Sequence, residues 1–468
     1  MNAATIIISW VFFCTLFTTN AQLIEGSWSG LLETHGIKLR LVFNVEKTLD
    51  GYQATLDSPD QGAKGIKASK VSFEDKTLII EVALAGLKYQ GTLHQETIKG
   101  NLVQFGMELP LNLSRGVKEA AKMVRPQEPL PPFPYRSEDV RFFNQEAGIF
   151  LAGTLASPFE GNNMAAVVLV TGSGSQNRDE EILGHKPFLV ISDYLARNGI
   201  AVLRFDDRGV AESEGDFQTA TSRDFATDVA SAIRFLKSRP EINPAKIGIA
   251  GHSEGGLVAA IVAAKHPEMV AFVVSLAGPG VRGDQIILAQ QQLIGKAQGV
   301  DEAELLKAAK INQQIFAAVM EIEDNDILTT EIETILTRAI TDGVGEIPQG
   351  LSHDDFLAIQ LAQISNPWML FFLRHDPSKD WQRVKCPVLA LNGKNDLQVP
   401  AGINLGAIRD AVMSGGNEDI TTILLPGLNH LFQECESGSP SNYGTISQTF
   451  SPQALEIIEK WINERFGK

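Results

Sequence analysis

Ser253 lies between glycines in the stretch AGHSEGGL, residues 250–257. The stretch follows a short apolar run, KIGIAG, and leads into a run of small apolar residues, LVAAIVAA. Gly-x-Ser-x-Gly between a buried strand and a helix is typical of a sharp turn that displays a nucleophilic serine. Because a serine hydroxyl attacks well only when a base takes its proton, the chain must also supply that base.

The candidate base and acid follow the serine in the order that this arrangement requires, which is Ser, Asp or Glu, then His. Of the eight histidines, only His430 lies beyond the apolar run CPVLALNG, and Asp396 is the only carboxylate in the following NGKNDLQVP. We therefore predict a Ser253–Asp396–His430 triad in which His430 exchanges the proton and Asp396 orients the imidazole. Asp284 is the second candidate for the acid.

Acyl transfer also needs N–H donors for the oxyanion that develops on the substrate. The backbone N–H of Glu254, next to the nucleophile, is the first predicted donor. The second should come from the loop GSGSQNRDE after the run VVLVTG, and we assign it to Ser173, with Gly174 beside it. This loop lacks the third glycine of a dinucleotide-binding turn, so no cofactor is predicted.

The elements that must position these residues have an α/β pattern after residue 136. Runs that are apolar on both faces alternate with amphipathic helical segments, which indicates a mostly parallel sheet covered by helices. DVRFFN and FLAGTLASP precede it as a predicted antiparallel hairpin. We assign this α/β core to residues 137–281 and 386–468, and the long helical segment 282–385 to a cap.

The chain before this core has a different composition. An apolar run followed by Thr19-Asn20-Ala21 predicts a signal peptide over residues 1–21, with an uncleaved anchor as the alternative. Residues 22–124 have the short alternating runs of a small antiparallel β-domain. Its opening GSWSGLL faintly resembles lipocalin-like barrels, although a tryptophan there is more often part of a core. Residues 125–136, rich in proline, form a predicted linker.

Composition excludes several classes of function. A formal net charge of −16 repels phosphate backbones, so no nucleic-acid partner is expected. The spacing of histidines, cysteines and carboxylates predicts neither a metal site nor a cofactor. No stable membrane span is predicted once the signal is removed. Cys386 and Cys435 should lie at opposite edges of the sheet, out of disulfide reach, and are predicted to be free thiols.

The motifs together resemble the α/β-hydrolase superfamily, within the serine aminopeptidase-like hydrolases and related bacterial carboxylesterases. The resemblance is carried by VLVTGSGSQNRDE, by RFDDRGVAESEGDF, by AGHSEGG, by CPVLALNGKNDLQVP and by LPGLNHLFQ, and it extends over about residues 137–468. It implies the same three triad residues. One departure is Thr171, where such proteins usually have a histidine.

Three further residues of these motifs allow two interpretations each. Asp206 and Arg208 either contact substrate at the pocket rim or fix their loop through an ion pair, and the ion pair is favoured. His185 either lines the pocket or is a buried structural histidine, and the structural role is favoured.

The sequence therefore predicts a secreted or periplasmic serine esterase that acts on a small-molecule ester through an acyl-enzyme. One alternative is an aminopeptidase-like serine peptidase with the same machinery, since the triad alone does not separate esters from amides. The alternative of another class is a catalytically silent binding protein that works through its β-domain. The sequence does not indicate the oligomeric state.

Overall fold

The computed structural model describes residues 24–34, 37–49, 51–59, 63–82, 86–104, 107–116, 125–344, 347 and 352–467. The predicted signal peptide lies outside this part of the chain. Two separate β-sheets are present, a ten-stranded sheet before the linker and an eight-stranded sheet after it. Each sheet has an apolar face, which must be covered either by a second layer or by curvature of the sheet onto itself.

All strand pairs described for the first sheet are antiparallel, as expected for residues 22–124. Its order is β4-β3-β2-β1-β10-β8-β7-β6-β5, and β9 pairs with β8. Its strands are β1 (Gly26–Thr34), β2 (Ile37–Thr48), β3 (Gly51–Ser58), β4 (Ala63–Lys67), β5 (Lys70–Glu74), β6 (Thr77–Val82), β7 (Leu87–His94), β8 (Thr97–Gln104), β9 (Met107–Pro110) and β10 (Leu113–Arg115).

The interior of this sheet is filled by side chains. Burial alternates along β6 and β7, so every second residue enters the core. Trp28 is fully buried, its indole N–H donates to the Ile24 carbonyl at 2.7 Å, and the Arg115 guanidinium lies 4.4 Å from its ring centroid. Trp28 is therefore a core residue, as its position in a first strand suggested.

The second sheet has the order β11-β12-β14-β13-β15-β16-β17-β18. The β11–β12 hairpin and the β12–β14 pair are antiparallel, and the pairings from β14 to β18 are parallel. Its strands are β11 (Arg136–Asn144), β12 (Ile149–Ser157), β13 (Met164–Val170), β14 (Ala201–Phe205), β15 (Ile242–His252), β16 (Val273–Leu276), β17 (Val388–Gly393) and β18 (Ile420–Leu425). The carboxyl ends of the parallel strands therefore meet at one edge, where the candidate site residues follow them.

Helices cover both faces of this sheet, which is why β13, β14, β16 and β17 are buried along their whole length. The helices on one face share a core with the strands, and the same holds for those on the other. The first group is α2 (Ser222–Lys237), α3 (Glu254–Lys265) and α10 (Ala401–Ser414), and the second is α1 (Pro187–Arg197) and α11 (Pro452–Phe466).

The chain between β16 and β17 is helical, and its middle helices have an apolar core of their own. Side chains of Asp301, Asp324, Ser352 and Asn366 cap the helices that begin after them, which fixes where each one starts. The helices are α4 (Gly283–Ala297), α5 (Glu302–Glu321), α6 (Asn325–Thr341), α7 (His353–Ile364), α8 (Pro367–Arg374) and α9 (Ser378–Trp381).

Each single helix of the described chain is too short or too polar to cross a membrane. Only α7 and α8 taken together are long and apolar enough, across a bend of 58°.

Candidate active site

The turn between β15 and α3 displays Ser253. Its backbone has φ +51° and ψ −121°, a conformation that non-glycine residues rarely adopt. A Cβ on Gly251 would collide with the Gly255 carbonyl, and one on Gly255 with the Val170 carbonyl. The two glycines are therefore required for the turn to pack against β13, and the strained turn raises the serine above the sheet edge.

His430 and Asp396 are in direct contact at the same edge. His430 Nδ1 lies 2.8 Å from Asp396 Oδ2, and both residues are buried. Asp396 Oδ1 accepts the backbone N–H groups of Gln398 and Val399 at 2.8 and 2.9 Å, which hold the carboxylate in place. Because the Asp396 carboxylate accepts a hydrogen bond from Nδ1–H, a neutral His430 has its lone pair on Nε2, where a base needs it.

A cavity of about 270 Å³ brings Ser253 and His430 together, and Ser173 also lines it. Its walls are mainly apolar and aromatic, and Trp368 and Phe372 stack at 5.2 Å between ring centroids. No hydrogen bond joins Ser253 Oγ and His430 within the described chain, which is common in sites without substrate. Two members of the predicted triad therefore share a cavity, and the third holds the histidine.

Two of the three predicted oxyanion residues, Ser173 and Glu254, line this cavity. Glu254 is the first residue of α3, so its backbone N–H has no partner within the helix. The neighbouring N–H of Gly172 is already taken, because it donates to Glu180 Oε1 at 2.7 Å. This leaves Ser173, which lines the cavity, as the first amide of the loop available there, whereas Gly174 is not among the lining residues.

The side chain of Glu254 makes contacts of its own, apart from its backbone N–H. It is buried, and its Oε1 accepts the Ser222 hydroxyl at 2.6 Å and the Trp368 indole N–H at 2.8 Å. Burial raises the pKa of this carboxyl above its ordinary value. Glu254 thus joins the nucleophile turn to α8, a contact between residues 114 apart for which no sequence signal exists.

Asp206 and Arg208 each form an ion pair, but with different partners. Asp206 accepts from Arg178, whose Nη2 lies 2.6 Å from Oδ2. Arg208 donates to Asp228 through Nε at 2.7 Å. Neither residue lines the Ser253 cavity, so the favoured loop-fixing interpretation is confirmed.

The neighbouring Asp207 holds the loop that carries Ser173. Its carboxyl accepts the Thr171 hydroxyl at 2.7 Å and the Gln176 N–H at 2.9 Å, and burial raises its pKa well above the ordinary value. Thr171, the departure from the superfamily pattern, therefore fixes this loop through Asp207.

His185 and Asp284 lie outside the catalytic contacts. His185 is buried, with Nδ1 3.0 Å from Thr449 Oγ1 and Nε2 3.0 Å from the Tyr443 carbonyl, so its structural role is confirmed. Asp284 is bound by Arg282 at 2.8 Å rather than by His430.

Cys386 and Cys435 are free thiols, as predicted. Within the described residues, no cluster of three or more histidine, cysteine or carboxylate side chains is placed to hold a metal ion.

Comparisons with known proteins give a family and a curated relative. A family model described as X-Pro dipeptidyl-peptidase (S15 family) matches residues 115–404, more than half of the chain. Esterase EstD of Thermotoga maritima is 29% identical over 318 residues, which cover 67% of this chain and 65% of that esterase. The chain therefore spans slightly less than two thirds of this relative's length. Both findings agree with the expected resemblance to α/β-hydrolases.

Two solved structures resemble the chain over a similar extent. The α/β-hydrolase GrgF of Penicillium sp. sh18 is 17% identical with a TM-score of 0.43, and it covers 71% of this chain and 100% of its own. The esterase Pf2001 of Pyrococcus furiosus is 13% identical with a TM-score of 0.41, covering 71% of this chain and 94% of its own.

Proposed function

The chain belongs to the X-Pro dipeptidyl-peptidase (S15) family, and on that premise we propose that it hydrolyses carboxylic esters through an acyl-enzyme on Ser253. The observation that carries the proposal is the 2.8 Å contact of His430 with Asp396, beside a cavity that His430 shares with Ser253. A nucleophile on a strained turn, a base with a free Nε2 and a buried acid behind it are what this chemistry requires.

The proposed reaction begins when Ser253 Oγ attacks the ester carbonyl carbon while His430 Nε2 takes the serine proton. The backbone N–H groups of Ser173 and Glu254 donate to the oxyanion, and Asp396 stabilises the imidazolium. The carbon–oxygen bond to the alcohol then breaks, and His430 gives its proton to that oxygen. Water repeats the sequence on the acyl-enzyme, releasing the carboxylic acid and returning the proton to Ser253.

The lining of the cavity favours an ester with an uncharged acyl group. Ile286, Ile287 and Met369 supply aliphatic surface next to the Trp368–Phe372 stack. At about 270 Å³ the cavity lies just below the range of about 300–1,000 Å³ that is common for drug-sized ligands. Short to medium acyl groups therefore suit it.

The second candidate is hydrolysis of X-Pro dipeptidyl substrates, because the family description names that activity. Such a peptide presents an N-terminal ammonium, which requires a free carboxylate in the site. Among the described residues, Glu254 is the only carboxylate that lines the cavity, and its Oε1 already accepts two hydrogen bonds. This observation supports the ester over the peptide.

We further infer that the helices from α4 to α8 act as a cap, since residues of α4 and α8 line the cavity above Ser253. Removal of residues 1–21 as a signal peptide would place the enzyme in the periplasm or outside the cell. N-terminal sequencing of the exported protein tests the cleavage, with Gln22 expected as the first residue.

The function is tested with p-nitrophenyl esters of increasing acyl length beside aminoacyl- and Ala-Pro-p-nitroanilides. We expect ester hydrolysis that is strongest for short to medium chains and is abolished in Ser253→Ala and His430→Ala. Hydrolysis of the anilides without the esters would replace the esterase assignment by the peptidase. Wild-type turnover in Ser253→Ala would overturn both.

A further inference from the structure

A buried histidine–glutamate pair lies directly behind the nucleophile turn and takes no part in the proposed proton transfers. His252, the residue before Ser253, is 7% exposed, and Glu180 is 4% exposed. His252 Nδ1 lies 2.9 Å from Glu180 Oε1, and its Nε2 lies 3.0 Å from the backbone carbonyl oxygen of His430. Both ring nitrogens of His252 are therefore engaged inside the protein.

The two partners of this ring determine its protonation. A carboxylate oxygen and a backbone carbonyl oxygen only accept hydrogen bonds, whereas a neutral imidazole has a single N–H. A neutral His252 would consequently set a nitrogen lone pair against an oxygen lone pair on one side of the ring. With Glu180 ionised, only the imidazolium donates to both oxygens, so the geometry favours the charged pair.

The surrounding charges act in the same direction. Burial lowers the pKa of His252, but the Glu180 carboxylate, its hydrogen bond, the His430 carbonyl and the more distant Asp396 outweigh it, so the pKa is raised above 6.5. The His430 ring is the other titratable group that faces His252, at 4.8 Å between ring centroids. Phe432 completes the enclosure at 6.4 Å.

The pair contacts three of the segments on which the proposed reaction depends. Glu180 Oε1 accepts from Gly172 N at 2.7 Å as well as from His252, which fixes the start of the loop that carries Ser173. His252 is covalently joined to Ser253, and its Nε2 holds the backbone of His430 itself. One charged contact thus ties the nucleophile, the oxyanion loop and the base to each other.

We infer that Glu180 and His252 form a permanent buried ion pair that holds these three segments in register, with His252 as a positioning residue and not a proton carrier. The inference rests on the proposed function of Ser253 and His430. It also explains why the buried charges are tolerated, because each finds a partner of opposite charge and a second hydrogen bond. His252 does not line the Ser253 cavity, which agrees with a role behind the site.

The kinetic test compares Glu180→Gln with a matched control, Glu181→Gln. Both variants remove one carboxylate from the same loop, but Glu181 is partly exposed, and its described side-chain partners are Lys186 and Asn177 rather than His252 or Gly172. Glu180→Gln keeps an acceptor for Gly172 while it leaves His252 neutral near pH 8. We expect kcat for the best ester to fall about 10- to 100-fold with KM changed less than about twofold, and no change in Glu181→Gln.

The pH dependence separates this inference from a merely structural role. As the pH falls, His252 in Glu180→Gln gains its second proton and recovers the bond to the His430 carbonyl. The ratio of variant to wild-type kcat should therefore rise towards low pH. A ratio that stays constant with pH overturns the inference, and it does so without touching the proposed function as long as Ser253→Ala remains inactive.

A measurement on the wild-type protein makes the result independent of folding of the variants. ¹⁵N NMR of histidine-labelled protein reports whether each ring nitrogen carries a proton, and correlation of the ring signals with the assigned backbone identifies His252. We expect His252 to have two protonated nitrogens from pH 6 to pH 8. One unprotonated nitrogen in this range would overturn the ion pair.

Discussion

At the scale of single residues, the proposed site depends on which proton lies on which nitrogen. His430 has its Nδ1 against Asp396 and its Nε2 towards the cavity, whereas His252 donates from both nitrogens. Two histidines whose rings lie 4.8 Å apart are thus given different protonation by their partners alone. A carboxylate on one side leaves a base, and acceptors on both sides leave a cation.

Asp396→Asn is expected to lower kcat for ester hydrolysis roughly 10³- to 10⁴-fold while leaving KM nearly unchanged. An asparagine that donates to Nδ1 forces the proton onto Nε2, the wrong nitrogen for a base. Steady-state kinetics measure the effect, and labelling by a fluorophosphonate should slow in proportion. Asp284→Asn is the control, since Asp284 is bound to Arg282. Equal losses in both variants would contradict the assignment of the acid.

His185 should make the protein less stable in mild acid. Burial, together with the positive charge of Arg125, lowers the pKa of His185 from 6.5 to about 4, although the hydrogen bond to the Tyr443 carbonyl acts in the opposite direction. The unfolded chain therefore binds this proton more readily, so the stability present above pH 6.5 is lost as the pH falls towards 4. The difference corresponds to roughly 3 kcal/mol when fully developed.

Urea unfolding at pH 7 and pH 4.5 measures this contribution. We expect His185→Gln to lose roughly 2–3 kcal/mol less unfolding free energy than the wild-type protein between the two pH values. Identical losses in the two proteins would show that another group dominates in this range.

At the scale of elements, the placement of Ser253, Asp396 and His430 could be predicted because each follows a strand recognisable by its apolar run. Strand order in a parallel sheet brings such residues to one edge without knowledge of any side-chain position. The partners of the ion pairs, in contrast, could not be predicted from the strand pattern. Arg178 and Asp228 are the partners of Asp206 and Arg208, and neither was identifiable from spacing, because such contacts depend on how loops pack and on which rotamers result.

The contact between α8 and the nucleophile turn is the clearest example of what packing adds. Trp368 lies in a helical segment whose sequence gives only its helicity, yet its indole N–H reaches Glu254 Oε1 at 2.8 Å. The same ring stacks on Phe372 and forms part of the cavity wall. One directional hydrogen bond thus ties α8 to the nucleophile turn, in addition to the packing of Leu370 and Leu373 in the apolar core of the helical segment.

Trp368→Phe should loosen this helix and raise KM for esters several-fold, with kcat changed less than about threefold. The phenyl ring keeps the stack on Phe372 but removes the donor to Glu254, a bond worth about 1.5–3 kcal/mol if the carboxyl is charged and about 1 kcal/mol if it is neutral. Ser222→Ala is the matched comparison, because it removes the other donor to the same oxygen without touching α8. Similar KM changes in the two variants would contradict a specific role for α8.

At the scale of the whole molecule, the start of the linker is bound to the surface of the second domain. Arg125 is 5% exposed. It donates to the carbonyls of Leu183 and Gly184 on one side and of Gly444 and Ile446 on the other. Two residues on, Gln127 bonds the backbone of Thr449 and Phe450. The proline content predicted stiffness, but the docking depends on the side chains of Arg125 and Gln127.

The loops that Arg125 joins are connected by hydrogen bonds to the neighbour of His430, the proposed base. The Leu183–Gly184 turn leads directly into His185, and a 3-10 helix, Pro440–Thr445, carries Tyr443. Gln433 contacts His185 at 3.0 Å and bonds Asn429, the neighbour of His430, at 2.9 Å. A chain of buried hydrogen bonds therefore leads from the linker to the residue next to the base.

Arg125→Ala should consequently affect both stability and catalysis. Four backbone carbonyls lose a charged donor, and since a bond to a charged group is worth about 1.5–3 kcal/mol, we expect the second domain to lose at least about 3 kcal/mol of unfolding free energy. Arg136→Ala is the control at the other end of the linker, where the side chain is exposed and its bond to the Phe159 carbonyl is long, at 3.3 Å. It should change stability by less than about 0.5 kcal/mol.

The activity of Arg125→Ala shows whether Arg125 also positions His430 or only attaches the linker. If the hydrogen-bonded chain positions His430, Arg125→Ala should lower kcat at temperatures well below its unfolding transition, and fluorophosphonate labelling of Ser253 should slow to the same extent. Thermal unfolding and the labelling rate are measured on the same samples. A destabilised variant that labels at the wild-type rate would show that Arg125 anchors the linker without influencing the site, because Ser253 reacts at full rate only while His430 stays in place.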